Sequence, residues 1–209
     1  MSDTKPTAGS TRTARRAAAN REAIIDVAEA LLVEGGIGAV TVEAVAERAD
    51  VAIQTVYNRV GRRPAVLVAL AQRAVEENWR YMEPAFASPG TPLERLATVA
   101  RAYVAFAQQR PLQFALLNTP PDEPGAQESI AAKVDQQVGK LADIVAEGMA
   151  DGTFTCAVEP AVAATALWAM IEGILLLGSR ADRKIADLAT LDALAGFAFS
   201  TIVNGLMPR

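Results

Sequence analysis

The sequence contains no histidine and one cysteine, Cys156, and only 5% of its 209 residues are aromatic. Without histidine, the commonest general base and the commonest metal ligand are both missing. A single cysteine cannot form an intramolecular disulfide, which fits a reducing cytoplasm. We therefore expect no histidine-dependent catalysis, no metal site and no cofactor.

Strand patterns and internal repeats cannot be recognised either. The chain is 51% apolar and 21% charged, and alanine and leucine favour helix. We predict an all-α fold of about nine helices, with a fourth helix that opens at Pro64 and ends before Pro84. The predicted helices are 13–34, a short one from Val42, 53–58, 64–83, 92–109, 111–118, 125–150, 159–179 and 187–206.

One stretch, Ala161–Gly178, is nearly all apolar and needs a test as a membrane span. It is short for a span, and Glu172 near its middle would add about 2.5–3.5 kcal/mol to the free energy of insertion. A buried helix in a soluble assembly is the better interpretation. The polar N-terminus has no apolar segment of the signal-peptide type.

Charge is distributed unevenly along the chain, whose net charge is −4. Residues 1–63 carry nine Lys/Arg against eight Asp/Glu, whereas the remainder carries eleven against sixteen. Most arginines of this first part bunch at its two ends: Arg12, Arg15, Arg16 and Arg21 at one, and Arg59, Arg62 and Arg63 at the other. An acidic body with a locally basic head predicts an acidic partner that is touched at one end.

Two short helices separated by a tight break predict a helix-turn-helix, whose second helix enters the DNA major groove. Thr41 stands where the first helix needs its N-cap. Gln54 and Thr55 can reach base edges, and Tyr57 and Asn58 can donate to phosphate oxygens. Spacing alone leaves an ordinary pair of core helices as an equal alternative.

The cations beside this motif suit a phosphate backbone. Arg59, Arg62 and Arg63 can neutralise phosphate charge, next to the N-terminus of the fourth helix. Ile53 either touches a thymine methyl or packs in the core. Arg15 either contacts DNA or belongs to an ordinary solvated tail.

The segment TVEAVAERADVAIQTVYNRVGRRPAVL, residues 41–67, resembles the DNA-binding segment of the TetR/AcrR family of bacterial transcriptional regulators. The family pattern is matched in register by Thr41, Val45, Ala46, Ala49, Val51, Thr55, Val56 and Tyr57. The resemblance covers residues 13 to about 80. It implies a ligand-responsive regulator, most often a repressor, that binds double-stranded, pseudo-palindromic DNA as a homodimer.

Several positions depart from the family pattern. Asp50 replaces the turn glycine, Ala52 replaces a serine that would cap the second helix, and Val60 replaces a core phenylalanine. Arg59 stands where an aromatic or imidazole group is usual, and Arg63 replaces a lysine. These changes leave the DNA-binding logic intact, but the operator sequence cannot be carried over.

The C-terminal half is similar to a subgroup of TetR-type domains with a Trp–His–Gly signature. Trp168 and Gly173 keep that pattern, whereas Glu172 takes the histidine position. We predict a mobile tail at 1–12, a DNA-binding domain at 13–63 and an effector and dimerisation domain at 64–209. The candidate pocket residues for an apolar small molecule are Trp79, Tyr103, Phe106, Phe114, Leu117, Asn118, Met149, Trp168 and Glu172.

Plain hydrophobic core is the open alternative for these pocket positions. Ala161–Gly178 and the helix after it predict an isologous four-helix dimer interface. Its residues are Leu176, Leu191, Leu194, Phe197, Phe199 and Val203. The competing classes are an enzyme, for which no catalytic motif is found in the sequence, and a helical adaptor that does not bind DNA.

Overall fold

The structure, a computed structural model, describes residues 8–155, 158–179 and 188–206. Within these ranges the chain forms nine helices and no strand, which confirms the predicted all-α class. The helices are α1 (Ala8–Ala39), α2 (Val42–Arg48), α3 (Ile53–Arg59), α4 (Arg63–Phe86), α5 (Pro92–Gln109), α6 (Pro111–Asn118), α7 (Pro124–Ala150), α8 (Pro160–Ser179) and α9 (Leu188–Leu206).

Helix α1 begins at Ala8, so the predicted tail at 1–12 was too long. Alanine and arginine are good helix formers and extend the helix toward the N-terminus; residues 1–7 lie outside the described ranges. The glycine-rich end was predicted to stop the helix after Glu34. There, Gly36 adopts φ 69° and ψ −173°, which interrupts the helical geometry before a last turn to Ala39.

Helix α4 continues through Pro84 to Phe86, and the prediction that it would end before the proline was wrong. Proline removes one backbone donor and crowds the preceding turn. Here that cost falls in the last turn of the helix. Met82, Ala85 and Phe86 are buried, and their packing holds the turn in helical form.

The chain divides into two compact units. The first comprises the residues up to Arg73 together with Thr119–Glu128, and the second comprises Ala74–Asn118 and Ser129–Arg209. The first unit therefore extends beyond the predicted boundary at residue 63. The early turns of α4 belong to it: Val66, Leu67 and Leu70 are buried there, and Arg73 forms ion pairs with α1.

In the first unit, α1, α2, α3 and the start of α4 all bury apolar side chains, and α1, α2 and α3 pack against one another. These buried side chains include Ile24, Ala28, Leu32, Val45, Val56 and Leu70. Arg73 on α4 also binds three carboxylates on one face of α1. Its Nη1 lies 2.6 Å from Asp26 Oδ1 and 3.0 Å from Glu29 Oε2, and its Nη2 lies 2.8 Å from Glu22 Oε2.

The second unit packs helices α5–α9 and the end of α4 around an aromatic-rich core. Tyr103 and Phe114 meet edge to face with ring centres 5.9 Å apart, and Tyr81 and Phe106 do so at 5.5 Å. Gly148 on α7 is buried against Phe154, whose backbone N–H donates to the Gly148 carbonyl at 2.8 Å.

This close approach yields a stability prediction. A Cβ atom at position 148 would overlap the Phe154 ring, so Gly148→Ala should lower the free energy of unfolding by about 1–3 kcal/mol. Gly139→Ala, on the exposed side of the same helix with open space around it, should raise that free energy by about 0.5–1 kcal/mol. Urea unfolding of both variants measures the difference. Equal stabilities would show that the Phe154 contact is not close.

Candidate nucleic-acid interface and ligand cavities

The turn between α2 and α3 is shaped by its own residues. The Thr41 side chain caps α2 by accepting from the Ala44 N–H at 3.1 Å, as predicted. Asp50 adopts φ 51°, so it takes the left-handed conformation that the glycine of the family pattern would adopt. Ala52 caps α3 without a side-chain hydrogen bond, which confirms the loss predicted from sequence.

Helix α3 is anchored through one face only. Val56 is fully buried, whereas Ile53, Gln54, Tyr57, Asn58 and Arg59 are exposed. Gln54 Nε2 donates to Asn58 Oδ1 at 3.0 Å, so these two amides already form a pair across one helical turn. Thr55 is half-buried, which limits its reach toward a base edge. An exposed polar face of this kind is what direct readout of bases requires.

An open cleft runs beside this face. It has a volume of about 890 Å³ and brings together four predicted DNA contacts besides Arg63, namely Thr41, Gln54, Tyr57 and Arg62. The N-termini of α2 and α4 both lie at the cleft, and helix N-termini favour anions. The lining residues are Thr41, Val42, Glu43, Gln54, Tyr57, Gly61, Arg62, Arg63 and Pro64.

Arg63 has a role that the sequence did not reveal. Its Nε donates to the Val40 carbonyl at 2.8 Å, and its Nη2 donates to the Ile37 carbonyl at 3.0 Å. Carbonyls at a helix C-terminus lack i+4 partners, and this guanidinium donates to Ile37 in the last turn of α1 and to Val40 just after it. Arg63 therefore links the start of α4 to the end of α1. Fewer of its guanidinium N–H donors are then free to bind phosphate than predicted.

Other predicted contacts lie away from the cleft lining. Arg59 and Asn58 are exposed at the end of α3, Ile53 is exposed at its start, and Arg15 is exposed on α1. Ile53 is 42% exposed, so it does not pack in the core, and its contact with a base stays a prediction. The acidic Glu43, in the first turn of α2, also lines the cleft.

The second unit has two small neighbouring cavities of different polarity. The apolar one, of about 30 Å³, is lined by Met82, Leu96, Val99, Ala100, Tyr103, Leu141, Leu167, Trp168, Ile171 and Phe199. The polar one, also of about 30 Å³, is lined by Val75, Asn78, Tyr103, Leu117, Asn118, Ile130, Lys133, Val134, Gln137, Trp168 and Glu172. Tyr103 and Trp168 line both, and their ring centres lie 4.7 Å apart.

Glu172 has partners within the unit. It accepts a 3.5 Å hydrogen bond from the Tyr103 hydroxyl and a hydrogen bond from the Trp168 side chain. Burial raises the pKa of Glu172, which these two bonds oppose. Burial, followed by the Glu172 charge, raises the pKa of Tyr103 well above its usual range, so the hydroxyl stays protonated. The Glu172 carboxylate is thus already paired within the second unit.

The remaining predicted pocket residues divide between cavity and core. Leu117 and Asn118 line the polar cavity, together with Tyr103, Trp168 and Glu172. Phe106 and Phe114 lie in the core instead, because their rings stack edge to face with ring centres 6.5 Å apart. Met149 packs against the core, and Trp79 lies under Lys133, whose Nζ is 2.9 Å from the ring centre.

The polar groups that sequence reasoning missed are Asn78, Gln137 and Lys133. Asn78 is buried on α4 as a polar group in a cavity wall. Gln137 is buried opposite it on α7. A buried amide at a helical core position was the available signal, since such groups demand hydrogen-bond partners.

An apolar surface lies on α8 and α9. Phe197 is 72% exposed, and Leu176 and Leu194 are exposed as well. The Pro160–Gly178 stretch is long and apolar enough to span a membrane by length and composition, and only 28% of it is buried. The other predicted interface residues differ. Phe199, on α9, is half-buried and lines the apolar cavity. The side chains of Leu191 and Val203 lie outside the described part of the structure.

These features define a class: an all-α protein that joins an N-terminal helix-turn-helix unit to a helical unit with internal cavities. A family model described as bacterial regulatory proteins, tetR family, matches residues 24–59. A second, described as tetracyclin repressor-like, C-terminal domain, matches residues 89–176. The chain belongs to the TetR/AcrR family, which confirms the resemblance seen in residues 41–67. Membership of the Trp–His–Gly subgroup stays a prediction.

Two relatives are HTH-type transcriptional repressors named KstR. The one from Mycolicibacterium smegmatis is 35% identical over 133 residues, which are 63% of this chain and 64% of the relative. The one from Rhodococcus jostii is 37% identical over 134 residues, which are 63% of this chain and 60% of the relative. The matched part thus spans less than two thirds of either relative.

Solved structures share the fold at lower identity. A protein of unknown function from Rhodococcus sp. RHA1 gives a TM-score of 0.76 at 24% identity, covering 90% of this chain and 96% of that one. The regulator FadR from Bacillus subtilis, in complex with stearoyl-CoA, gives 0.71 at 20% identity, covering 88% and 98%. At these identities the likeness establishes the fold alone.

The Arg63 geometry predicts a structural phenotype. Arg63→Ala removes two hydrogen bonds to carbonyls and should lower the free energy of unfolding by about 1 kcal/mol. Arg62→Ala, which removes the same charge from an exposed neighbour, should change it by less than about 0.5 kcal/mol. Urea unfolding of the two variants decides, and equal losses would rule out the capping role.

Proposed function

We propose that this protein is a DNA-binding transcriptional regulator. It acts as a repressor, and its second unit binds a small-molecule effector. The observation that carries the proposal is the exposed polar face of α3 beside an open cleft with Arg62 and two helix N-termini. The arginine and the helix N-termini at the cleft suit phosphate groups, and the exposed polar side chains of α3 suit hydrogen bonds to base edges. Its named relatives are transcriptional repressors.

The α3 face offers a short set of base contacts. Gln54 can pair with adenine through its amide, and Ile53 can contact a thymine methyl group. We propose that the phosphate backbone is contacted by the exposed side chains of Tyr57, Asn58, Arg59 and Arg62, by the Thr41 region and, more distantly, by Arg15. Two such units related by a two-fold axis would read a pseudo-palindromic operator in double-stranded DNA.

Effector control is proposed to act through α4. This helix is continuous from Arg63 to Phe86, so it contributes residues to both units. An effector that fills the cavities beside Met82 and Asn78 would act on the C-terminal part of the same helix whose first residue is Arg63. Linkage requires that the effector weaken DNA binding by the factor by which DNA weakens effector binding.

The apolar surface of α8 and α9 is proposed to be a homodimer interface. A largely exposed apolar helix is unfavourable in water, and pairing with a symmetry mate removes that surface. A dimer in the cytoplasm is therefore preferred to a membrane protein. As the named relatives are repressors, we propose that this chain is not an enzyme.

The DNA assignment predicts two different effects. Arg62→Ala should weaken binding to all sequences alike and reduce the salt slope by about 1 per subunit, because one phosphate contact is lost. Gln54→Ala should mainly relax base preference. Fluorescence anisotropy with flanking genomic fragments at several salt concentrations measures both.

Arg80→Ala is the matched control for these titrations. It removes one exposed arginine from the later part of α4, outside the cleft, so affinity and slope should stay unchanged. If wild-type protein showed no salt-dependent DNA affinity, the adaptor alternative would be favoured. If Arg62→Ala matched Arg80→Ala, the phosphate role of Arg62 would be wrong.

The dimer assignment predicts that Leu176→Arg or Phe197→Glu yields monomers, because either change places a charge in an apolar interface. Ala132→Arg, on the exposed side of α7, is the control and should leave the dimer intact. Light scattering at micromolar concentration gives the molar mass. A monomeric wild-type protein would contradict the assignment.

A further inference from the structure

The interior cavities of the second unit are small. Each measures about 30 Å³, which is room for about one or two water molecules. In the polar cavity wall Gln137 Nε2 donates to Asn78 Oδ1, and the buried Asn78 Nδ2 has no acceptor among the described residues. Because ligand pockets usually measure about 300–1,000 Å³, a small molecule needs another space in this unit.

A groove of that size lies on the surface of the second unit, between α5 and α9. Its volume is about 460 Å³, and α8 contributes one residue to its wall. All of its lining residues except an arginine and a glutamine are apolar. They are Ala97, Ala100, Arg101, Val104, Ala105, Gln108, Ile171, Ala195, Gly196 and Phe199.

The groove adjoins the apolar cavity. Ala100, Ile171 and Phe199 line both spaces, so these three residues form the wall between them. Met82 on α4 lines the same cavity. A ligand in the groove would therefore contact the wall of the cavity through which effector control of α4 is proposed.

The groove and the proposed dimer interface lie on different faces of α9. A helix turns by about 100° per residue, so Ala195, Gly196 and Phe199 fall within about 100° of its circumference. Their centre lies about 180° from that of the exposed Leu194 and Phe197. A dimer formed through Leu194 and Phe197 would leave the groove open to solvent.

Arg101 gives the groove a positive charge. It is the one charged side chain in the described lining, it is exposed, and it forms no ion pair among the described residues. Its Nη2 donates to Thr98 Oγ1 at 3.0 Å, which uses one of the five N–H donors of the guanidinium. The remaining donors suit a carboxylate, whose two oxygens match the planar fork. Gln108, the other polar lining residue, already has a partner.

We propose that the groove between α5 and α9 binds the effector and that this effector is a small amphipathic anion. Its apolar body lies along Ala97, Val104 and Phe199, and its acidic group pairs with Arg101. This assignment rests on the proposed effector function and names the place and the chemistry of ligand binding. A cation would be repelled by Arg101, and an uncharged molecule would leave that charge unpaired.

The test uses three probes with one ring system: naphthoate, naphthamide and aminomethylnaphthalene, all substituted at the same position. They present an anion, an uncharged group of the same shape and a cation to the full-length protein, and calorimetric titration gives each affinity. We expect naphthoate to bind about threefold to tenfold more tightly than naphthamide, as for one hydrogen-bonded charge pair at a partly exposed site. The cation should bind most weakly.

Arg101→Gln tests the charge. It removes the cation from the groove, so the affinity for naphthoate should fall to that for naphthamide. Arg80→Gln is the matched control, because it removes an exposed arginine on α4 that does not line the groove. This variant should keep the wild-type preference.

Gly196→Leu tests the place. A Cβ atom at position 196 would have open space around it, and leucine favours helix more than glycine does, so the fold should be retained. The added side chain occupies the groove, and binding of all three probes should be lost. Gly139→Leu, at an exposed position of α7 with the same open space, should bind naphthoate as the wild type does.

Four results would overturn the assignment: no binding of naphthoate, equal or tighter binding of either other probe, an anion preference that survives in Arg101→Gln, or naphthoate binding that survives in Gly196→Leu. Light scattering of Gly196→Leu is measured as well. A molar mass different from that of the wild type would show that a second copy of the chain occupies the groove, which also overturns it.

DNA binding of wild-type protein is measured in parallel without any probe. Salt-dependent DNA binding together with no anion preference rejects this inference alone. Absence of DNA affinity in the wild-type protein rejects the regulator function instead, whatever the probes do.

Discussion

A seven-residue helix is not stable by itself in water, so α3 exists because it is packed against its neighbours. Val56, its one fully buried side chain, supplies that anchor against the helices of the first unit. Because one buried side chain is enough to pack the helix, its other faces are exposed to solvent. This leaves a polar face beside the cleft. Arg63 stabilises the same unit by binding the end of α1.

In the second unit, a few aromatic residues form both the core and the walls of the cavities. Tyr103 packs on Phe114 and Trp168, so it belongs both to the core and to the wall between the two cavities. Core and binding cavity were treated as alternatives at the sequence level, and they are combined in this residue. The paired Glu172 and the unsatisfied Asn78 then give the polar cavity its chemical character.

Sequence patterns predicted the helices well, because apolar spacing, caps and prolines act locally. Thr41, Asp50 and Pro92 lie at helix or turn positions that such signals indicate. The contacts of Arg63 and the Asn78–Gln137 pair could not be predicted in this way. They join residues 23 to 59 positions apart, and which carbonyl or amide a side chain meets depends on packing that single-sequence periodicity does not encode.

The exposed apolar stretch of α8 also bears on the lifetime of the protein. If that stretch is covered only in the dimer, mass action makes resistance to unfolding increase with protein concentration. Newly made chains at low abundance would then be the form most open to proteolysis. The level of a regulator built in this way would influence its own turnover, independently of any effector or operator.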